Sequence, residues 1–172
     1  TASKYYSKIA GTQKQDGDYA QFQNALCQGL DNQNVQKIKS LENLLAVYPN
    51  SNYRIESRFE LGSTYLKMDK NQDAINQYNT FLKDYPNSKY AARALLNVGV
   101  IHRHMGSYGA SIETLKKVVE QYPATPEANE AISFARLVYA KDNRIEEYVD
   151  WVGTIEFADV KRATLDSTLY SA

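Results

Sequence analysis

The dipeptide Tyr-Pro occurs three times, at Tyr48-Pro49, Tyr85-Pro86 and Tyr122-Pro123, and its copies recur every 37 residues. A fixed period of this size is the signature of a stacked repeat array, in which each unit is too small to bury its own apolar face and must lean on a neighbour. Two further series keep the same spacing. Ser51, Ser88 and Thr125 follow the Tyr-Pro pairs, and Asn32, Asp69, Gly106 and Asn143 fall between them. Serine and threonine favour the N-cap of a helix, and Pro126 suits a first helical position. The residue before proline avoids the α region, so each Tyr-Pro pair ends a helix. Asn, Asp and Gly enter the left-handed conformation most easily, so the third series predicts a helix end inside every unit. Each unit then reads as helix, tight turn, helix, proline stop.

Side-chain periodicity agrees with an all-α chain. Phe59, Leu61, Tyr65, Leu66 and Met68 belong to one first helix, and Ala74, Ile75, Tyr78, Phe81 and Leu82 to its partner. In the partner helix the steps of three and four are those of a helix burying one face. Leu95, Val98 and His102, then Ile112, Leu115, Val118 and Val119, repeat the arrangement. No segment alternates as a half-buried strand does.

These residues resemble the tetratricopeptide repeat, whose pattern is W-x2-L-G-x2-Y, then A-x3-F, then P. Arg58, Leu61-Gly62, Tyr65, Ala74, Tyr78 and Pro86 form one copy; Leu95, Val98-Gly99, His102, Ser111, Leu115 and Pro123 form the next. Looser copies run through Asn24-Ala25, Gln28, Lys37, Leu41 and Pro49, and through Ile132, Ala135-Arg136, Tyr139, Tyr148 and Val152, with Val160 at the proline position. The resemblance implies an α-α superhelix of about four hairpins, over 18–51, 52–88, 89–125 and 126–157. Residues 1–17 then end a preceding repeat and 158–172 begin a further, truncated helix, as in a piece of a longer array. Gly62 and Gly99 mark close helix approaches. The family unit is about 34 residues, and the surplus here fits before the first helices, at 52–54 and 89–91, as about one added turn. Long units with Tyr-Pro-x-Ser joins resemble the bacterial cell-envelope branch of the family, which includes BamD-type assembly lipoproteins and the Tol-Pal coordinator. By resemblance alone this favours a periplasmic or outer-membrane-associated protein.

Composition excludes several functions. The 20 basic and 20 acidic residues cancel, whereas a nucleic-acid surface needs a basic excess or stripe. No stretch is long and apolar enough to span a bilayer. The single cysteine, Cys27, precludes an internal disulfide framework and reads as a buried small residue. His102 and His104, two apart on a helix, point to different faces and cannot share a metal; His102 stands where the other copies have tyrosine. No phosphate loop, nucleophile elbow or zinc spacing occurs, and Glu146, Glu147 and Asp150 read as a solvated helix face. The expectation is therefore no enzyme, no cofactor and no metal.

What remains is a scaffold for a protein or peptide. First helices of such arrays line a concave groove, and the register puts Phe22, Leu26, Phe59, Ser63, Lys67, Arg93, Leu96, Val100, Arg103 and His104 on it, with Tyr19 and Leu30 at one end and Glu130, Ser133, Leu137 and Lys141 at the other. Apolar anchors with basic rims suit a partner helix or extended segment; the same apolar residues would equally serve packing between neighbouring helices. Two alternatives stand beside this reading. A cytoplasmic chaperone adaptor would need lysine and asparagine where Phe22, Phe59, Leu96, Leu26, Ser63 and Val100 stand. A platform for a larger enzyme or regulator would carry its chemistry in flanking sequence. Self-association is open.

Overall fold

Asn32, Asp69, Gly106 and Asn143 all adopt the left-handed conformation, with φ of 57°, 56°, 73° and 54°, and each closes a helix. The computed structural model describes Tyr6, Lys8 and residues 17–156; the expectations for 1–17 and 158–172 fall largely outside these. Among the described residues there are eight helices and no strand: α1 (Gly17–Leu30), α2 (Asn34–Val47), α3 (Arg54–Lys67), α4 (Asn71–Asp84), α5 (Ala91–His104), α6 (Tyr108–Gln121), α7 (Pro126–Lys141) and α8 (Ile145–Gly153).

The turn inside each hairpin is built the same way four times. The N–H of Gln33 donates to the carbonyl of Gln28 at 2.8 Å, Lys70 to Tyr65 at 3.0 Å, Ser107 to His102 at 2.9 Å and Arg144 to Tyr139 at 2.9 Å. This six-to-one bond, across a left-handed residue, satisfies a carbonyl that the helix end would otherwise orphan. It also reverses the chain within a few residues, which is why α1–α2 and α3–α4 pack as antiparallel neighbours.

The joins between hairpins differ from the expected caps. Ser51 and Ser88 do not cap helices. Their hydroxyls accept from the N–H groups of Tyr53 and Tyr90, two residues on, at 3.0 and 3.2 Å, and the helices start only at Arg54 and Ala91. Of the surplus residues, 52–53 and 89–90 thus form turns, and only Arg54 and Ala91 enter the first helices. Thr125 does cap: its hydroxyl accepts from Ala128 N–H at 3.1 Å, with Pro126 following. Helix α7 accordingly begins earlier in its repeat than α3 or α5, and Ala124 before the cap is forced to a φ of 58°. Tyr48, Tyr85 and Tyr122 leave the helical conformation as the proline behind them requires.

Two compact units divide the chain, Thr1–Ala91 and Ala92–Ala172. In the first, Phe22, Ala25, Ile38, Leu41, Leu44 and Leu61 form one buried cluster; each large aliphatic side chain there contributes about 1.5–3 kcal/mol by leaving water. Gly62 allows α4 to come close, since a Cβ at that position would stand 2.7 Å from the ring of Tyr78. In the second unit Ile112, Leu115, Val118, Ile132, Val138, Tyr139, Tyr148 and Val152 form the core. Gly99 serves the same end as Gly62, with Leu115 occupying the space of its missing Cβ and Ser111 donating to its carbonyl at 2.8 Å. Tyr139 and Tyr148 are wholly buried, yet among the described residues neither hydroxyl has a hydrogen-bond partner. Burial pushes the Tyr148 phenol up to about 12. Trp151 packs edge-on to Tyr148, ring centroids 6.1 Å apart. His102, in register with these tyrosines, is only half-buried, as is Cys27.

Candidate functional site

In the first unit most groove-side residues are engaged by the protein itself, Leu30 at 83 % exposure being the exception. Phe22 is 3 % exposed and stacks on Tyr53, centroids 5.0 Å apart and planes 17° apart. Phe59 repeats this contact one unit later, stacking on Tyr90 at 4.9 Å and 20°. Tyr53 and Tyr90 belong to the surplus residues of the 37-residue unit, so the lengthened join supplies an aromatic cover for the phenylalanine of the preceding first helix. Leu26 packs on the buried cluster. Ser63 shares a 3.1 Å hydrogen bond with the Tyr78 hydroxyl and so faces its own hairpin partner. Lys67 donates to the Gly29 carbonyl at 3.1 Å and to Asn32 Oδ1 at 2.9 Å, tying α3 to the turn of the first hairpin. Tyr19, 42 % exposed, lies against Tyr53 and Tyr6.

Three of the five second-unit candidates are likewise committed. Leu96, 1 % exposed, is in the core and Val100 packs on it. Phe22 and Leu96 are therefore core residues and not groove anchors: a side chain already stripped of water has no apolar surface left to offer a partner. Arg93 grips both oxygens of Glu130 at 2.6 and 2.7 Å and Glu127 at 3.1 Å. The bidentate hydrogen bonds that Arg93 donates to Glu130 are the main cause that raises the affinity of the guanidinium for its proton; burial opposes this, and the charges of Glu130 and Glu127 add to the rise.

Arg103 and His104 behave differently. With Tyr108, Leu137 and Lys141 they line an open hollow of about 270 Å³ at the ends of α5 and α7 and the start of α6. Leu137 remains 49 % exposed there. Arg103 lies over the face of Phe134, 5.3 Å from guanidinium carbon to ring centroid, and its Nη2 is 3.2 Å from His104 Nε2. Its Nε is buried with no hydrogen-bond partner among the described residues. Tyr108 carries no sequence signal beyond its place just after the Gly106 turn, and sequence reasoning missed it.

A second hollow, of about 280 Å³, opens in the first unit between Glu42, Leu45, Ala46, Arg58, Leu61 and Gln77. Arg58 stands where the repeat pattern has tryptophan, and a slimmer side chain leaves that space. Among the described residues no group of three His, Cys, Asp or Glu side chains converges on a common point, and no helix is long and apolar enough to cross a membrane.

Comparison with known proteins agrees with this architecture. Residues 56–88 and 92–125 each match a tetratricopeptide repeat family. Curated protein sequences give no match. Among solved structures the chain is similar to MamA, at 19 % identity and a TM-score of 0.68 over 87 % of this chain and 81 % of that one. It is similar to MamA from Desulfovibrio magneticus RS-1, at 12 % identity and 0.65 over 94 % and 97 %. A tetratricopeptide repeat protein from Parabacteroides merdae is similar at 14 % identity and 0.67, over 87 % of this chain and 57 % of that one. At these identities the structural likeness speaks for the fold alone. The fold is generally a protein–protein interaction scaffold and typically non-catalytic. With two matched repeats, four hairpin turns of one design and a glycine at the close approach inside each matched repeat, the chain is a tetratricopeptide repeat protein.

Proposed function

We propose that the protein is a non-catalytic scaffold that seats a segment of a partner protein on the first-helix face of its second unit. The observation that carries this is the half-exposed Leu137 inside the hollow formed with Arg103, His104, Tyr108 and Lys141. An apolar side chain left uncovered among long amphipathic ones is where a partner gains most by excluding water, and Tyr and Arg are frequent interface anchors. Phe22 and Leu96 have no such surface to give, and Phe59 is half-buried beneath the Tyr90 ring. The setting we favour is the bacterial cell envelope, supported by the 37-residue unit and its Tyr-Pro-x-Ser joins.

A photo-crosslinking amino acid placed at Leu137, in cells of the source organism, tests the reading. Crosslinks to a small set of proteins are expected from position 137, reduced when Arg103 is also replaced by Ala. The same probe at Leu30, an 83 % exposed residue of the first unit, serves as the comparison. Identical crosslink patterns from the two positions would overturn the assignment of the surface.

A further inference from the structure

The repeat itself shows what the hollow is missing. Lys67, His104 and Lys141 hold one register position, 37 residues apart. At the first of these the ammonium group meets two oxygens, the Gly29 carbonyl and the Asn32 side chain. Two units later the residue in register with Asn32 is Gly106, which has no side chain to offer, and the residue in register with Gly29 is Arg103, a second cation. Lys141 thus reaches a hollow lined by a guanidinium and an imidazole in place of amide and carbonyl oxygens. No carboxylate lines that hollow, and among the described residues neither Arg103 nor Lys141 has an ion-pair partner. Arg93 and Arg144, by contrast, are each held by two acids of their own unit.

A bland account exists for part of this. Cations in the last turn of a helix complement its dipole, and Arg103, His104 and Lys141 all stand in last turns. That account needs charge only. It does not explain why the Arg103 Nε is turned into the protein without an acceptor, nor why Leu137 and Tyr108 are left open in the middle of the cluster.

We propose that this hollow is an anion-reading site, and that its occupant is an acidic segment of a partner protein with a carboxylate side chain next to an aliphatic one. The carboxylate takes the place that Asn32 and Gly29 fill for Lys67, accepting from Lys141 and Arg103, while the aliphatic residue covers Leu137 against the Tyr108 ring. Arginine favours carboxylate through its forked donors. The proposal rests on the docking surface assigned above and adds the chemistry it reads.

The test uses the whole chain and two fluorescein-labelled peptides, one of alternating leucine and glutamate, the other its glutamine counterpart. Fluorescence anisotropy should show the glutamate peptide binding at least about tenfold more tightly, with the advantage shrinking as salt rises. Lys141→Gln and Arg103→Gln should each remove most of that advantage, with circular dichroism confirming that the helices persist. Lys117→Gln, the same loss of charge on an exposed residue of α6 outside the hollow, should not. Equal binding of the two peptides would overturn anion reading while leaving an apolar docking surface intact. Equal effects of Lys117→Gln and Lys141→Gln would overturn it as well, by reducing the preference to net charge. If neither peptide binds while crosslinking at Leu137 still finds partners, the acidic occupant is wrong and the scaffold reading survives.

Discussion

Replacing Gly62 by alanine probes the closest helix approach in the first unit. The added methyl would lie 2.7 and 2.8 Å from Tyr78 Cε1 and Cδ1, about a full ångström inside normal carbon contact. Tyr78 has little room to yield: it is wholly buried, its hydroxyl bonds Ser63, and Phe59 lies 5.8 Å from its ring. Overpacking of this kind costs about 1–3 kcal/mol, against which alanine regains roughly 0.8–1 kcal/mol of helix propensity. The net loss should be up to about 2 kcal/mol, read as a lower urea midpoint by far-UV circular dichroism. Gly109→Ala is the matched control, because nothing lies within 4 Å of its missing Cβ; only propensity acts there, and the midpoint should hold or rise. Gly99→Leu should be worse than either, since a whole side chain would enter the space of Leu115, whose Cδ2 already stands 2.9 Å from the missing Cβ. A Gly62→Ala protein as stable as the Gly109→Ala one would refute the packing described between α3 and α4.

Two other changes test strain and burial. Ala124 pays for its left-handed backbone without the freedom of glycine, so Ala124→Gly should stabilise by about 0.5–1 kcal/mol, the difference between roughly 1–2 kcal/mol of relieved strain and the entropy of a looser unfolded chain; a lower melting temperature would contradict the assigned conformation. Tyr148→Phe removes a buried hydroxyl without a partner and should leave stability equal or higher, by up to about 1 kcal/mol. The same residue predicts an alkaline limit. Its folded pKa, raised to about 12 by burial, lies above the ordinary value near 10, so its contribution is complete below pH 10 and lost as pH climbs toward 12. Tyr148→Phe should flatten that fall in chemical-denaturation midpoints, and an unchanged slope would show that Tyr148 is not its source.

What could be read from the sequence divides along the range of the interactions involved. The turns at Asn32, Asp69, Gly106 and Asn143 were legible because a left-handed residue is a local demand that few side chains meet cheaply. Gly62 and Gly99 were legible through the repeat pattern. Ala124, equally left-handed, was not, because nothing in alanine announces it; the conformation is imposed by the Thr125 cap and Pro126 behind it. Groove residues fared worst. Register says on which side of a helix Phe22 and Phe59 stand, but not that Tyr53 and Tyr90 fold back from the joins to cover them. The fate of Arg93 turned on Glu127 and Glu130, more than thirty residues away, a pairing that charge alone does not specify. Lys141 stayed accessible for the converse reason: the residue that stands to it as Asn32 stands to Lys67 is a glycine, Gly106.

Trp151 is the single tryptophan of the chain, and it sits in the second unit with its ring against Tyr148 and Lys116 Nζ 5.6 Å above it. Excited selectively, it makes the second unit optically distinct from the first, where tyrosine is the dominant chromophore. Its emission and quenching follow the packing of α8 on α7, while circular dichroism follows every helix at once. Comparing the two signals along one denaturation curve therefore separates the fate of one unit from that of the whole without a label, and a shift of the tryptophan transition ahead of the helical one would identify α7 and α8 as the first elements to come apart.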